Sequence, residues 1–158
     1  MSRMPLLLSI LLCFASSSTA FDQGCAALSS PAHVLKFNYS DVAVLVPIGV
    51  QISTRKNLPD FDVYDFEQEH QKLLSAYVGH DPDFHMFSYH KVVKTSHRIE
   101  AGLKITDIVY ETTPKGATRE EFVQEGSTFN YIHFFYENVP VELAKEADRI
   151  IASTIRVH

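Results

Sequence analysis

The chain has 158 residues, of which 46% are hydrophobic, 11% aromatic and 21% charged, the balance of one globular domain and not of a disordered, collagen-like or multidomain chain. Lys and Arg total 14 against 19 Asp and Glu, a formal charge of −5. With no basic field to hold a phosphate backbone, nucleic acid is not an expected partner.

Residues 1–20 read as a secretory signal peptide. Arg3 supplies the positive start, and the apolar run from Leu6 to Ala15 is too short to span a bilayer core of roughly 30 Å as a helix. Ser18 and Ala20 place small residues at the −3 and −1 positions of a cleavage site. Cleavage there leaves 138 residues at −6 with Cys25 alone of the two cysteines, so no intramolecular disulfide is expected although the export route is oxidising. No later stretch is suited to stable membrane insertion. Residues 21–32, rich in Ala, Ser and Gly, read as a flexible leader, and 33–158 as a single α+β domain.

Within that domain, Val34–Tyr39 and Val42–Val46 flank the Ser40-Asp41 turn as a first hairpin, stopped by Pro47 and Gly49. Asn57-Leu58-Pro59-Asp60 marks a break. Phe61–Glu67 and Leu73–Gly79 then form a second hairpin around polar residues 68–72. Tyr89–Arg98 reads as a strand, Glu100-Ala101-Gly102 as a turn, and Leu103–Thr112 as a strand with Leu103, Ile105, Asp107 and Val109 on one face and Lys104, Thr106, Ile108 and Tyr110 on the other. Arg119–Gln124 and Phe129–Glu137 continue the pattern as strands, each expected beside its neighbour in sequence. The period then changes from two to 3.6. Leu143, Ala144, Ala147, Ile150, Ile151, Thr154 and Ile155 line one face of a helix that begins near Pro140, with Asn138 as its cap. The expected architecture is one antiparallel sheet of about six to eight strands with a C-terminal amphipathic helix packed on one face.

Two places draw attention for chemistry. Of the eight histidines, His70, His80, His85, His90 and His97 lie close together in sequence. His80, Asp81, Asp83 and His85 share a Pro-containing loop whose imidazoles and carboxylates suit Zn or Cu. No His-Glu-x-x-His pair, nucleophile elbow or Gly-rich phosphate loop accompanies them, and solvated loop histidines are the simpler reading; no cofactor is expected. The second place is the run Phe129–Tyr136. Tyr131, His133 and Phe135 share a strand face, either covered as part of a central strand or partly open to a protein partner or small ligand, with Tyr131 and His133 as polar handles. The acids of Asp60–Glu67 alternate faces and are explained by solvated edges and turns.

The segments Asp62-Val63-Tyr64-Asp65-Phe66, Ala76–Phe84, His133-Phe134-Phe135-Tyr136 and Ile150-Ile151-Ala152-Ser153 resemble small exported proteins of Gram-negative bacteria of unassigned role. The element order resembles the PsbP/DcrB-type α+β fold, although no clear N-terminal helix is present to cover the second sheet face. That resemblance implies an accessory or binding role, no enzyme activity and no transferable site. The expected function is a non-catalytic periplasmic or secreted domain that engages a protein partner or small ligand. The alternatives are an inhibitor or immunity protein that neutralises a toxin or hydrolase by charge complementarity, and a metal-assisted hydrolase built on residues 80–85.

Overall fold

The computed structural model describes residues 32–58, 60–84, 86–126 and 130–157, so the signal peptide, nearly all of the leader, Cys25, His85 and Phe129 lie outside the described residues. Ten strands and one helix follow in order: β1 (Ala32–Lys36), β2 (Val42–Pro47), β3 (Gln51–Leu58), β4 (Phe61–Gln68), β5 (Gln71–Gly79), β6 (Val92–Glu100), β7 (Leu103–Tyr110), β8 (Ala117–Glu125), β9 (Tyr131–Val139), α1 (Val141–Ala152) and β10 (Ile155–Arg156).

The strands form two antiparallel sheets and not one. The small sheet runs β1-β2-β10 and the large sheet runs β3-β4-β5-β9-β8-β7-β6. Two meanders therefore meet at a seam between β5 and β9, where Ala76 faces Phe134 and Val78 faces Ile132. Sequence neighbours do not always pair: the first hairpin departs into its own sheet, and β5 and β6 stand apart with three strands between them.

Local chemistry explains the hairpins. Glu69 and His70 both take positive φ (51° and 65°), as do Ala101 and Gly102 (49° and 78°), the backbone that a two-residue turn needs to match strand twist. β3 escaped the sequence reading because it is an edge strand with only Ile52 half-buried among polar residues at its start, so no period of two shows. β6 starts at Val92, so Tyr89 and His90, expected in the strand, belong to the connection before it. The helix cap is Pro140 and not Asn138. Asn138 sits at positive φ in the last residues of β9, where its backbone N–H donates to Thr118 Oγ1.

One face of the large sheet is closed by the small sheet and α1. Val42, Val44 and Val46 of β2 and Ala144, Ala147, Ile150 and Ile151 of α1 pack on Tyr64, Phe66, Leu74, Ala76, Ile132 and Phe134. Phe37 pins the layers together by edge-on contacts with Tyr64 (5.0 Å) and Phe134 (5.8 Å). Helix and small sheet are also joined by polar contacts: the Leu45 N–H donates to Ser153 Oγ at 2.8 Å, beyond the end of the short β10 ladder.

The same face carries charge where the apolar cover ends. Arg119 donates to Asp107 (2.7 Å), Asp148 (2.7 Å) and Glu121 (3.1 Å), and Arg98 reaches Glu121 as well. Burial pushes the Glu121 carboxyl up, against the two guanidinium groups that lower it. Burial also lifts the Tyr136 phenol, whose hydroxyl donates to Asp148.

Candidate functional site: an aromatic sheet face under a crossing strap

The second face of the large sheet is crossed by the β5–β6 connection, residues 80–91. β5 and β6 run in the same direction with three strands between them, so their connection crosses the whole sheet. We call this segment the strap. Gly79 at its start is required by crowding, since a Cβ there would lie 2.7 Å from both the Phe61 Cβ and the Tyr77 hydroxyl.

Three contacts hold the strap down. Phe84 stacks on Phe122 of β8 (centroids 4.8 Å) and meets Tyr131 of β9 edge-on at 5.6 Å. Phe87, 4% exposed, sits among Tyr110, Phe135, Tyr89 and His90. Finally, the Tyr89 hydroxyl (2.8 Å) and His90 Nε2 (3.1 Å) converge on Glu137 Oε1. Those two hydrogen bonds stabilise the charged carboxylate and hold Glu137 below the usual range.

Beneath the strap, the alternation of β9 places Tyr131, His133 and Phe135 on this face, as the sequence pattern requires. Tyr131 and Phe135 are half-buried, but His133 is fully buried and is not a surface handle. Its ring lies on Phe122 at 4.0 Å and 16°. Its Nε2 is 3.7 Å from Glu120 Oε1, and neither ring nitrogen has a hydrogen-bond partner among the described residues. Glu120 is equally buried, and its other oxygen accepts from the Tyr110 hydroxyl at 2.9 Å. Burial, then that contact with Glu120, drives the Tyr110 phenol well above its ordinary range.

The strap leaves a cleft on each side. A smaller one of about 370 Å³ lies by Met86 and Phe87, between Lys72 and Glu137. A larger one of about 680 Å³ lies toward the β6 edge. Its aromatic floor is Phe84, Phe122 and Tyr131, and its outer wall carries Ile99, His97 and Lys104. Phe84 and Ile99 remain 47% and 75% exposed, so two large apolar side chains border an open cavity. His97 Nδ1 is tied to Thr106 Oγ1 at 3.0 Å, whereas Lys104, on the neighbouring strand, has no carboxylate partner among the described residues. An apolar floor with a few polar groups on its rim is the usual make-up of a ligand cleft. Sequence reading found Tyr131 but missed Phe84, Phe122 and Lys104. Alternation put Lys104 and Thr106 on a shared face, yet nothing local indicates that Phe84 returns across the sheet to meet them.

The expected metal loop is not assembled among the described residues. His80, Asp81 and Asp83 are exposed, the Asp81 N–H approaches the Tyr77 hydroxyl at 3.4 Å, and His85 lies outside the described residues. No group of three or more His, Cys, Asp or Glu able to hold a metal occurs among the described residues. Of the acids expected at solvated edges, Asp60 is exposed and Glu67 half-buried, but Asp62 and Asp65 are buried and partnered. Asp62 accepts from Asn38 at 2.9 Å, while Asp65, on the opposite face, accepts from Arg55 (2.7 Å) and Ser75 (2.6 Å) and pairs with Lys72 (2.8 Å). Burial alone would raise the Asp65 carboxyl, but Lys72, Ser75 and Arg55 outweigh it and bring its pKa to about 2.

Among the described residues, no helix is long and apolar enough to cross a membrane. No family model matches the chain, and no curated protein does. Among solved structures, it is similar to the solution structure of cyanobacterial PsbP (CyanoP) from Synechocystis sp. PCC 6803, at 13% identity and a TM-score of 0.56, over 84% of this chain and 96% of that one. At that identity the likeness is one of architecture: the chain has a PsbP-type α+β fold.

Proposed function

We propose that the chain is an exported, non-catalytic accessory domain that binds a protein partner or small ligand on the strap-covered face of its large sheet. The observation that carries this reading is the cleft of about 680 Å³ with Phe84, Phe122 and Tyr131 as its floor and Lys104 on its rim. An aromatic floor supplies apolar area at low entropic cost, and a lone ammonium selects for negative charge. The apolar run and small-residue cleavage site of residues 1–20 support export.

The test is retention of a ligand or partner through purification of the exported chain, read by native mass spectrometry. The wild-type chain is expected to carry a reproducible mass that is lost when Phe84→Ala and Lys104→Glu are combined. Equal occupancy in both proteins, or no bound mass in either, would overturn the reading. A metal-assisted hydrolase on residues 80–85 stands as a separate proposal, excluded if the dialysed protein holds no metal and gives no thermal shift with Zn²⁺ or Cu²⁺.

A further inference from the structure

The large cleft opens beside the outer edge of the sheet. Among the described residues β6 is the terminal strand of the large sheet, nine residues long, with β7 on its inner side and no strand on its outer side. Its backbone therefore offers a row of unpaired N–H and C=O groups of the kind that accepts an added strand. The register shifts between Val92 and Lys94, and from Lys94 to Glu100 the pairing with β7 is regular. Alternate residues of β6 point to the cleft side, His97 and Ile99 among them. A strand laid along β6 would thus send every second side chain toward the cavity floored by Phe84, Phe122 and Tyr131.

Charge narrows what that strand is. The protein is acidic overall, at −5, yet this edge carries Lys94 on β6 and Lys104 on the adjoining β7, while Arg98 is taken up by Glu121 (3.2 Å) and Glu100 (3.3 Å). Lys94 and Lys104 are exposed and have no carboxylate partner among the described residues. Edge, cavity and the exposed ammonium of Lys104 adjoin one another along β6 and β7.

We infer that β6 receives an extended acidic peptide segment of a protein partner as an eighth strand, with an aromatic side chain of that segment filling the adjoining cleft. This rests on the binding role proposed above and gives it a partner class and a geometry. Main-chain bonds to β6 supply affinity, the cleft selects the aromatic residue, and Lys104 on the cleft side selects the sign of charge.

The probe is a synthetic peptide of about nine residues, the strand length that β6 can pair, alternating Glu with Val around one Phe. Binding to the full chain is followed by fluorescence anisotropy and by amide exchange of β6. The expected outcome is saturable binding that slows exchange along β6. It weakens at least tenfold when alternate peptide nitrogens are methylated, when Glu is replaced by Lys, or when the protein carries Lys104→Glu or, separately, Phe84→Ala. Lys104 is exposed, so its variant leaves the core intact. Equal binding of the methylated peptide would overturn strand addition, and equal binding of the Lys peptide would overturn the charge assignment. Sedimentation showing the edge taken by a second copy of the chain would overturn the partner class, and no binding by any peptide would overturn the inference whole. A chain that retains a ligand through purification but ignores every peptide refutes this inference and leaves the binding role standing.

Discussion

His133 and Glu120 face each other at 3.7 Å, and neither imidazole nitrogen has a hydrogen-bond partner among the described residues. Removing one member of such a pair leaves the other's polar atoms buried in a medium that solvates them poorly, at a cost of about 1–3 kcal/mol. Removing both leaves only the Tyr110 hydroxyl short of an acceptor, a cost of about 1 kcal/mol. His133→Leu is therefore expected to be more destabilising than the double variant His133→Leu with Glu120→Met, and additive losses in urea midpoint would refute the coupling. Asp65 gives a pH signature. Its folded pKa of about 2 lies below the ordinary 3.8. Its contribution is thus fully present above about pH 4 and is lost as pH falls toward 2, on the order of 1–2 kcal/mol in all. Urea midpoints across that window are expected to fall less steeply in Asp65→Asn than in the wild type; parallel slopes would sink the assignment. Alternation in the sequence already put Asp62 and Asp65 on opposite faces. Their burial was not legible, because Asn38 comes from the β1–β2 turn and Lys72 and Ser75 from β5, whose placement no local pattern states.

Elements were readable where burial imposes a period and unreadable where it does not. β7 and β9 show their alternation because one face or both are covered, and α1 shows its stripe because Ala144, Ala147, Ile150 and Ile151 meet the sheet. β3 and β10 lack that signal: one is a polar edge, and the other is two residues long. The turn before β8 was legible from Pro114-Lys115-Gly116, though not its tightness. Gly116 has φ 139°, and a Cβ on it would fall 2.4 Å from the Val139 carbonyl oxygen. By contrast Gly49, at φ 101°, has open space around it. Gly116→Ala combines backbone strain with a collision against β9 and is expected to cost at least about 2 kcal/mol, against about 1 kcal/mol for Gly49→Ala. Equal urea midpoints for the two variants would show that the close approach carries no weight.

At the scale of the whole molecule, the expectation of one sheet failed for a topological reason. Hairpins announce themselves locally, but nothing in residues 32–47 states that their hairpin layers over the large sheet instead of extending it, or that β5 seeks β9 across half the chain. The strap is the sole covalent link between the β3–β5 meander and the β6–β9 meander. With a protease site placed in it, the folded protein is expected to stay at the size of the intact chain after cutting, held by the β5–β9 seam and by β10 on β2. Elution of separate fragments without denaturant would contradict this.

The strap also sets an order in time. The β6–β9 meander is joined by short connections and is able to form from neighbours in the chain, whereas the β5–β9 seam must wait for distant residues to meet. Closing a loop grows costlier only slowly with its length, by roughly 0.6 kcal/mol per doubling. The slow step of assembly is then the meeting of two half-sheets, during which β5 and β9 each present an unpaired apolar edge. A chain delayed at that stage is exposed to aggregation along its future centre, and not along the charged edge it presents once folded.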